Sequence, residues 1–461
     1  MVFALLHGAS QLFRCRARPV RHSKAVPAAP PRGRSVSRSR RARFLAIAIG
    51  LAVGIQVPLV SALGQLTGHA GLVAAGAAAL TISFILGVAG PRSVWGEPGP
   101  FRLYGVLWPF FFWFTVALLF LFVLPLALGL EQLSSMAHRT ALGVGLAVAT
   151  AGAAGAFWKR ARVLAHDVPI EGLPEALDGF RVAQISDLHC GPFADGARVA
   201  AWVAAVNELR PDLIAVTGDL IASGSRFVPV VAAALSQLRA PHGVFASMGN
   251  HDYFTEDGEA LVAALERAGL TVLRNRGVDV RRGGAVLHVA GVDDTWTRRH
   301  DVARALAERP AGAPALMLAH DPALFPEIAA RGVDLTLSGH THGGQVAIPY
   351  LSRRLNLARV MTRFTNGFYR SGGAALYVNR GLGTTGPPIR IGVRPEITLL
   401  TLRRRRAGGA SSGAPEVETA GGQASRSGAG RAPVASVAAT SLSPASETAG
   451  MVLLAPSTAA D

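Results

Sequence analysis

Apolar positions follow two regimes along the chain. In the first third they form long unbroken runs: residues 44–63 (FLAIAIGLAVGIQVPLVSAL), 71–88, 103–130 and 141–158 each lack a charged side chain. About 20 apolar residues of helix cross a hydrocarbon core roughly 30 Å thick, so the pattern predicts four transmembrane helices. The aromatic-rich 103–130 run is the clearest. For the Ala- and Gly-rich 71–88 and 141–158 runs, a buried helix or hairpin of a soluble protein is the alternative, because small residues contribute little hydrophobicity. From about residue 180 the apolar runs become short. Residues 181–186 (RVAQIS), 213–217 (LIAVT), 244–248 (VFASM), 285–290 (AVLHVA), 315–319 (ALMLA) and 335–338 (LTLS) read as buried strands. Stretches 195–209, 228–238, 256–268 and 322–330 read as helices between them, and such alternation predicts an α/β layered domain. No helical pattern separates 374–379 from 396–402, so part of the sheet is expected to be antiparallel or mixed.

Composition changes this picture only once it is localised. The 461 residues carry 46 Lys and Arg against 29 Asp and Glu, a formal charge of +17, with 50% hydrophobic residues and a mean hydropathy of +0.33. Such apolar content excludes a disordered basic protein, and two cysteines exclude a disulfide-stapled scaffold. Residues 1–43 hold eleven Lys and Arg and no acid, which predicts a basic disordered arm; six Arg and four acids lie from residue 403 onward. The region between, 44–402, is left with a net +4. Arg92 and Arg102 flank the second loop, and Lys159, Arg160 and Arg162 follow the last run. By the positive-inside rule, the N-terminus and everything after residue 158 face the cytoplasm. The competing reading is a twin-arginine export signal at Ser39-Arg40-Arg41-Ala42-Arg43-Phe44-Leu45, but Phe44 comes one place late and three further apolar runs follow. The intervening runs lack ionisable groups, the usual flag of a pore or carrier, so 44–160 reads as an anchor. Residues 403–461, dominated after 406 by Ala, Gly, Ser and Pro, read as a disordered tail.

The chemistry sits where the strands end. Asp187-Leu188-His189 follows the first, Gly218-Asp219 the second, and Gly249-Asn250-His251-Asp252 the third; His320 and Gly339-His340-Thr341-His342 follow the fifth and sixth. The C-terminal edge of an α/β sheet is where such folds place their sites. A lone His or Asp after a strand is ordinarily a cap or turn residue, but seven donors over five strand ends form a constellation. Asp187, His189, Asp219, Asn250, His320, His340 and His342 offer oxygen and imidazole without thiolate. That set suits Mn, Fe or Zn better than Ca or a structural zinc. A carboxylate such as Asp219 can bridge two divalent ions about 3.5–4 Å apart, which would activate a water between them and clamp a phosphoryl group.

In order and spacing these motifs resemble the calcineurin-like metallophosphoesterase superfamily. The resemblance covers residues 165–402. Within the superfamily, His342-Gly343-Gly344-Gln345, Asn379-Arg380-Gly381-Leu382-Gly383 and Arg394-Pro395-Glu396-Ile397 look like the bacterial membrane-associated YaeI-type phosphodiesterases. The resemblance implies a β-sandwich flanked by helices. It implies Asp187, His189 and His342 on one metal, Asn250, His320 and His340 on a second, and Asp219 bridging. His251 would not bind metal but would stand by the leaving oxygen as general acid or charge stabiliser. Arg380 could meet a substrate phosphate or stabilise its turn. Tyr253, Phe254, Asn366 and Gly367 are candidates for the mouth, Asp252 for orienting the His251 loop, and Cys190, His288 and His300 for structural roles. The expected activity is hydrolysis of a phosphodiester or pyrophosphate, and four anchoring helices favour a lipid-linked or membrane-proximal substrate. A non-enzymatic scaffold and a nuclease are the alternatives. The basic arm lies beside the membrane runs, so anionic lipid rather than specific nucleic acid is its expected partner.

Overall fold

The computed structural model describes residues 38–89, 99–157, 160–222, 224–253, 258–348, 355–405 and 418–419. Residues 1–37, most of the tail after 405, Trp158, Lys159 and Phe254 lie outside the described residues.

Four helices open the described chain. They are α1 (Arg38–Thr67), α2 (Ala70–Ala89), α3 (Pro100–Ser134) and α4 (His138–Phe157). Helix α1 starts before the apolar run and takes in the last arginines of the basic segment. Three helices have stretches long and apolar enough to cross a membrane: Ile49–Thr67, Pro100–Ser134 and His138–Phe157. Helix α2 offers a shorter apolar stretch, Ala70–Leu86, so three of the four expected spans meet the length requirement. Small residues explain how α3 and α4 pack: Ala149 and Ala153 are fully buried, and a Cβ on Gly145 would sit 3.3 Å from the Ala127 side chain. One polar contact crosses three helices. The Trp113 indole donates to Gln56 Oε1 at 2.7 Å, and Thr81 donates to the same oxygen at 3.3 Å.

The body is a two-sheet sandwich. The first sheet orders β1 (Arg162–Ile170), β12 (Glu396–Arg404), β2 (Arg181–Ile185), β3 (Leu213–Thr217), β4 (Val244–Ser247) and β5 (Thr271–Val272). The second orders β13 (Glu418–Thr419), β10 (Gly367–Ser371), β11 (Ala374–Val378), β9 (Leu335–Ser338), β8 (Ala315–Leu318), β7 (Ala285–Gly291) and β6 (Arg276–Arg282). Strands β2 to β5 run parallel, as do β7, β8, β9 and β11. Antiparallel pairings β12–β2, β10–β11 and β6–β7 make both sheets mixed. The expected strands all form. Strands β1, β6 and β10 were not expected, because sequences such as RGVDVRR and GFYRS carry charge on a half-exposed edge.

Inward side chains of both sheets build the central core, with Val182, Leu213, Ala215, Leu316, Leu318, Leu337, Tyr377 and Leu400 among its members. The outer face of the first sheet is covered by α5 (Gly196–Glu208), α6 (Phe227–Leu235) and α7 (Gly258–Arg267), which bury Trp202, Val231 and Leu265 against Ile185, Ile214 and Val216. Short helices α8 (Val302–Ala305) and α9 (Phe325–Ala330) lie beside the second sheet. Central strands buried on both faces need continuous apolar sequence, which is why LIAVT and LTLS were legible. The C-terminal ends of β2, β3, β4, β8 and β9 therefore meet at one edge of the sandwich.

Candidate metal centre

The donor loops leave their strands abruptly. Asp187, His189, Asp219, His340 and His342 all have positive φ, between 45° and 71°, a conformation that costs a non-glycine residue on the order of 1–3 kcal/mol. Glycines make the crowding possible. A Cβ on Gly218, itself at φ +78°, would lie 2.6 Å from His320 Nδ1 and 2.7 Å from the Gly249 nitrogen. Gly249 and Gly339 press similarly against the carboxylates of Asp219 and Asp187.

All seven sequence-chosen donors converge. His189 Nε2 lies 3.0 Å from His342 Nε2, and His342 Nε2 lies 3.4 Å from Asp187 Oδ1. On the other side His340 Nδ1 is 3.0 Å from Asn250 Oδ1 and 3.2 Å from His320 Nε2. Asp219 stands between, its Oδ2 3.6 Å from His189 Nε2 and 3.3 Å from His320 Nε2. Two trios, Asp187–His189–His342 and Asp219–His320–His340, each bring ligand atoms within 4.8 Å of one another and could hold a metal ion. The donor chemistry fits: carboxylates and imidazoles, all buried except the partly buried His340, with no thiolate in either trio. Supporting bonds orient them. His320 Nδ1 faces the Thr217 carbonyl at 2.7 Å, which directs Nε2 inward. The His340 amide donates to Asp187 Oδ1 at 3.0 Å.

Buried unlike charges dominate the electrostatics. Burial alone would raise the Asp219 carboxyl, but His320, His251 and His189 hold it well below its usual 3.8. Burial opposes protonation of His320, yet Asp219 raises it well above 6.5. Asp187 is pushed up to about 7 by burial, partly offset by His320. His342 falls well below 6.5 through burial and the neighbouring His189 and Arg390.

His251 is buried beside the trios, its ring 4.6 Å from that of His189. Its amide donates to Asp219 Oδ1 at 2.8 Å, and Nδ1 faces the Ala222 carbonyl at 3.1 Å. Geometry also groups it with His189 and Asp219, so its exclusion from the ligand set rests on the resemblance. Asp252 accepts from the amides of Leu220, Ile221 and Gly249, at 2.8, 3.2 and 2.9 Å, and so braces the loops that carry Asp219 and His251. Cys190 points into the helix-covered core, where burial pushes its thiol up to about 12. His288 pairs with Asp279 at 2.9 Å, away from the donors. Tyr253 donates to Asp293. Arg380 forms a close ion pair with the fully buried Glu396 carboxylate and donates to Asn366 Oδ1 at 3.0 Å. Both contacts tie Arg380 to its own surroundings in the turn.

Two residues of the site escaped the sequence reading. Thr385 Oγ1 lies 3.0 Å from His189 Nε2 and 2.9 Å from His342 Nε2. Its loop is held by Gln345, which accepts from the Thr385 amide at 2.9 Å and donates to the Pro387 carbonyl at 3.0 Å. Arg390, 2% exposed, donates to the carbonyl of Arg380 at 2.9 Å and places Nη2 3.2 Å from His342 Nδ1. The run of Gly, Thr and Pro before Arg390 has no strand or helix period, so only contact reveals its place.

Comparison with known proteins points to one family. A model of the calcineurin-like phosphoesterase family matches residues 180–344. A protein of Danio rerio named as a transmembrane protein with metallophosphoesterase domain is 35% identical over 256 residues, 53% of this chain and 57% of that protein. The uncharacterised metallophosphoesterase YkuE of Bacillus subtilis is 31% identical over 241 residues, 52% of this chain and 84% of the relative. An uncharacterised metallophosphoesterase of Aquifex aeolicus is 31% identical, with 92% of its length covered. The chain thus spans little more than half of the animal protein and most of these two bacterial ones. Relatives occur in animals as well as bacteria, so the likeness is wider than the bacterial YaeI-type branch. With a two-sheet body, clustered His and Asp donors, and relatives matched over most of their length, the chain belongs to the calcineurin-like phosphoesterase family.

Proposed function

We propose that the protein is a membrane-anchored, metal-dependent phosphoesterase that hydrolyses a phosphodiester or pyrophosphate bond, in the manner of the YaeI-type phosphodiesterases. The observation that carries this reading is the pair of donor trios, with Asp219 of one lying 3.6 Å from His189 of the other. In the proposed arrangement Asp187, His189 and His342 hold one divalent ion, and Asn250, His320 and His340 a second. Asp219 reaches both. Bound Mn, Fe or Zn would supply a nucleophile at neutral pH and neutralise phosphoryl charge. The chain's own part is positional. His320 is aimed by the Thr217 carbonyl. The Ala222 carbonyl faces His251 Nδ1, so the opposite ring nitrogen is available to protonate or stabilise a leaving oxygen.

The anchor favours a substrate held at the bilayer. Helices α1, α3 and α4 are apolar enough to span it, with α2 a fourth, shorter candidate, and α3 turns Phe122 and Leu126 outward. The catalytic body sits directly against their ends: Ile389 packs with Leu107, Phe111 and Phe157, and Phe193 stands edge-on to Trp108, with ring centroids 5.9 Å apart. A lipid-linked phosphoester is therefore the substrate class we infer. The positive-inside pattern supports a cytoplasmic position for the body, and the basic arm would bind anionic headgroups. The test is hydrolysis of bis-p-nitrophenyl phosphate and of lipid-linked phosphodiesters by the full-length protein with defined metals. Full activity after chelation would sink the proposal.

A further inference from the structure

Acidic residues are unevenly spread over the body. From residue 335 to 395 there are eight arginines and no Asp or Glu, although the 44–402 region as a whole is nearly balanced. This acid-free stretch also holds four outward apolar side chains of the described body, including its two most exposed: Val360 is 87% exposed, Met361 79%, Ile348 53% and Leu355 50%. Arg359 and Arg363 are exposed beside them. An apolar patch rimmed by cations is costly in water and suited to an anionic lipid surface.

Backbone pairing says where this patch lies. The Arg390 amide donates to the Ala156 carbonyl at 3.0 Å, next to the last residue of α4. Ile391 bridges to Val346, and Ala347 bridges to Asn356. Ile348 donates to the Leu355 carbonyl at 3.2 Å. Neighbouring extended segments lie about 4.8 Å apart, so Leu355 is within roughly 10 Å of the Ile391 backbone and thus near the level at which α4 ends. The Ile348–Leu355 end of the patch therefore adjoins the segment whose Ile389 and Ile391 pack on the helices.

We propose that residues 355–363 form an interfacial element that seats in the headgroup region of the membrane crossed by α4. The occupant is an anionic lipid surface: Val360 and Met361 enter the acyl boundary, and Arg359 and Arg363 face phosphates. The inference rests on the reading that the helices span a bilayer. It places the membrane surface beside the loop that Gln345 and Thr385 hold over the metal centre.

The test uses full-length protein in nanodiscs containing anionic lipid, in a Cys15→Ser background where the buried Cys190 is the remaining native thiol. An environment-sensitive fluorophore is attached in turn at Val360→Cys, at Leu126→Cys on α3, and at Ala311→Cys before β8, at the opposite end of the strand from His320. The expected result is blue-shifted emission at 360, quenched by lipids carrying a nitroxide near the headgroup, with water-like emission at 311. Quenching at 126 without quenching at 360 would overturn the interfacial element and leave the membrane reading standing. Absence of quenching at both positions would overturn the two together.

Discussion

At the scale of single residues, the metal centre is strained and highly charged. Five of the seven donors sit at positive φ, so the fold must impose a backbone these side chains would not choose. Asp219 is predicted to be indispensable: Asp219→Ala should remove bound metal, measured by elemental analysis, and abolish hydrolysis while the fold survives. His251→Asn should retain metal and lower kcat by about 10²–10⁴-fold, the range of a lost acid or base; a variant that instead loses metal would make His251 a ligand. The Asp219–His320 pair also predicts a pH dependence for metal-free protein. His320 titrates above 6.5 in the fold, so its contribution is full below that value and is lost as pH rises through the raised folded value. Asp219 titrates below 3.8, so its share is present above 3.8 and is lost only on strong acidification. The Tm of chelated protein should therefore fall as pH rises above about 6.5, while metal affinity rises as protons stop competing. Each donor's identity was legible from its place after an apolar run. Thr385 and Arg390 were not, because a residue whose role is to touch another loop leaves no period in its own.

At the scale of elements, the strands that could be read were those buried on both faces. Strands β1, β6 and β10 pair at or near sheet edges, where one face meets solvent or a neighbouring layer and the sequence is free to carry Arg, Asp and His. The turn after β11 shows how tightly an element end can be tied. Arg380 and Glu396 pair with the carboxylate fully buried. Arg380→Ala should cost about 3–5 kcal/mol, as breaking one side of a buried pair does, measured by denaturant unfolding; a loss confined to substrate affinity would restore the phosphate-binding alternative. Gly218→Ala tests the junction of β3 with the site. Its Cβ would displace His320 or the Gly249 backbone, so metal content and activity should fall together.

At the scale of the molecule, the net charge of +17 resolves into arms and one polarised segment. Part of the balance in the body is local: the 335–395 segment is acid-free, and its Ile389 and Ile391 pack on the helices, so charge is informative there as well as in the arm. A reporter fused at residue 165 should be active only in its cytoplasmic form; activity restricted to the exterior would invert the topology and favour the twin-arginine reading. What the sequence determined alone was everything local: apolar runs long enough to span a bilayer, strands continuous enough to be buried, and donor types placed where strands end. Helix spans and strand burial follow from a side chain's own solvent preference, which acts over a few neighbours. The tertiary structure decided the rest: the two trios brought together where Asp219 meets His189, the ion pair between Arg380 and Glu396, the loop of Thr385 over the imidazoles, and the seating of Ile389 on the helix ends. Those depend on contacts between residues tens to hundreds of positions apart, and pairwise distance across a fold is a property that no window of sequence contains.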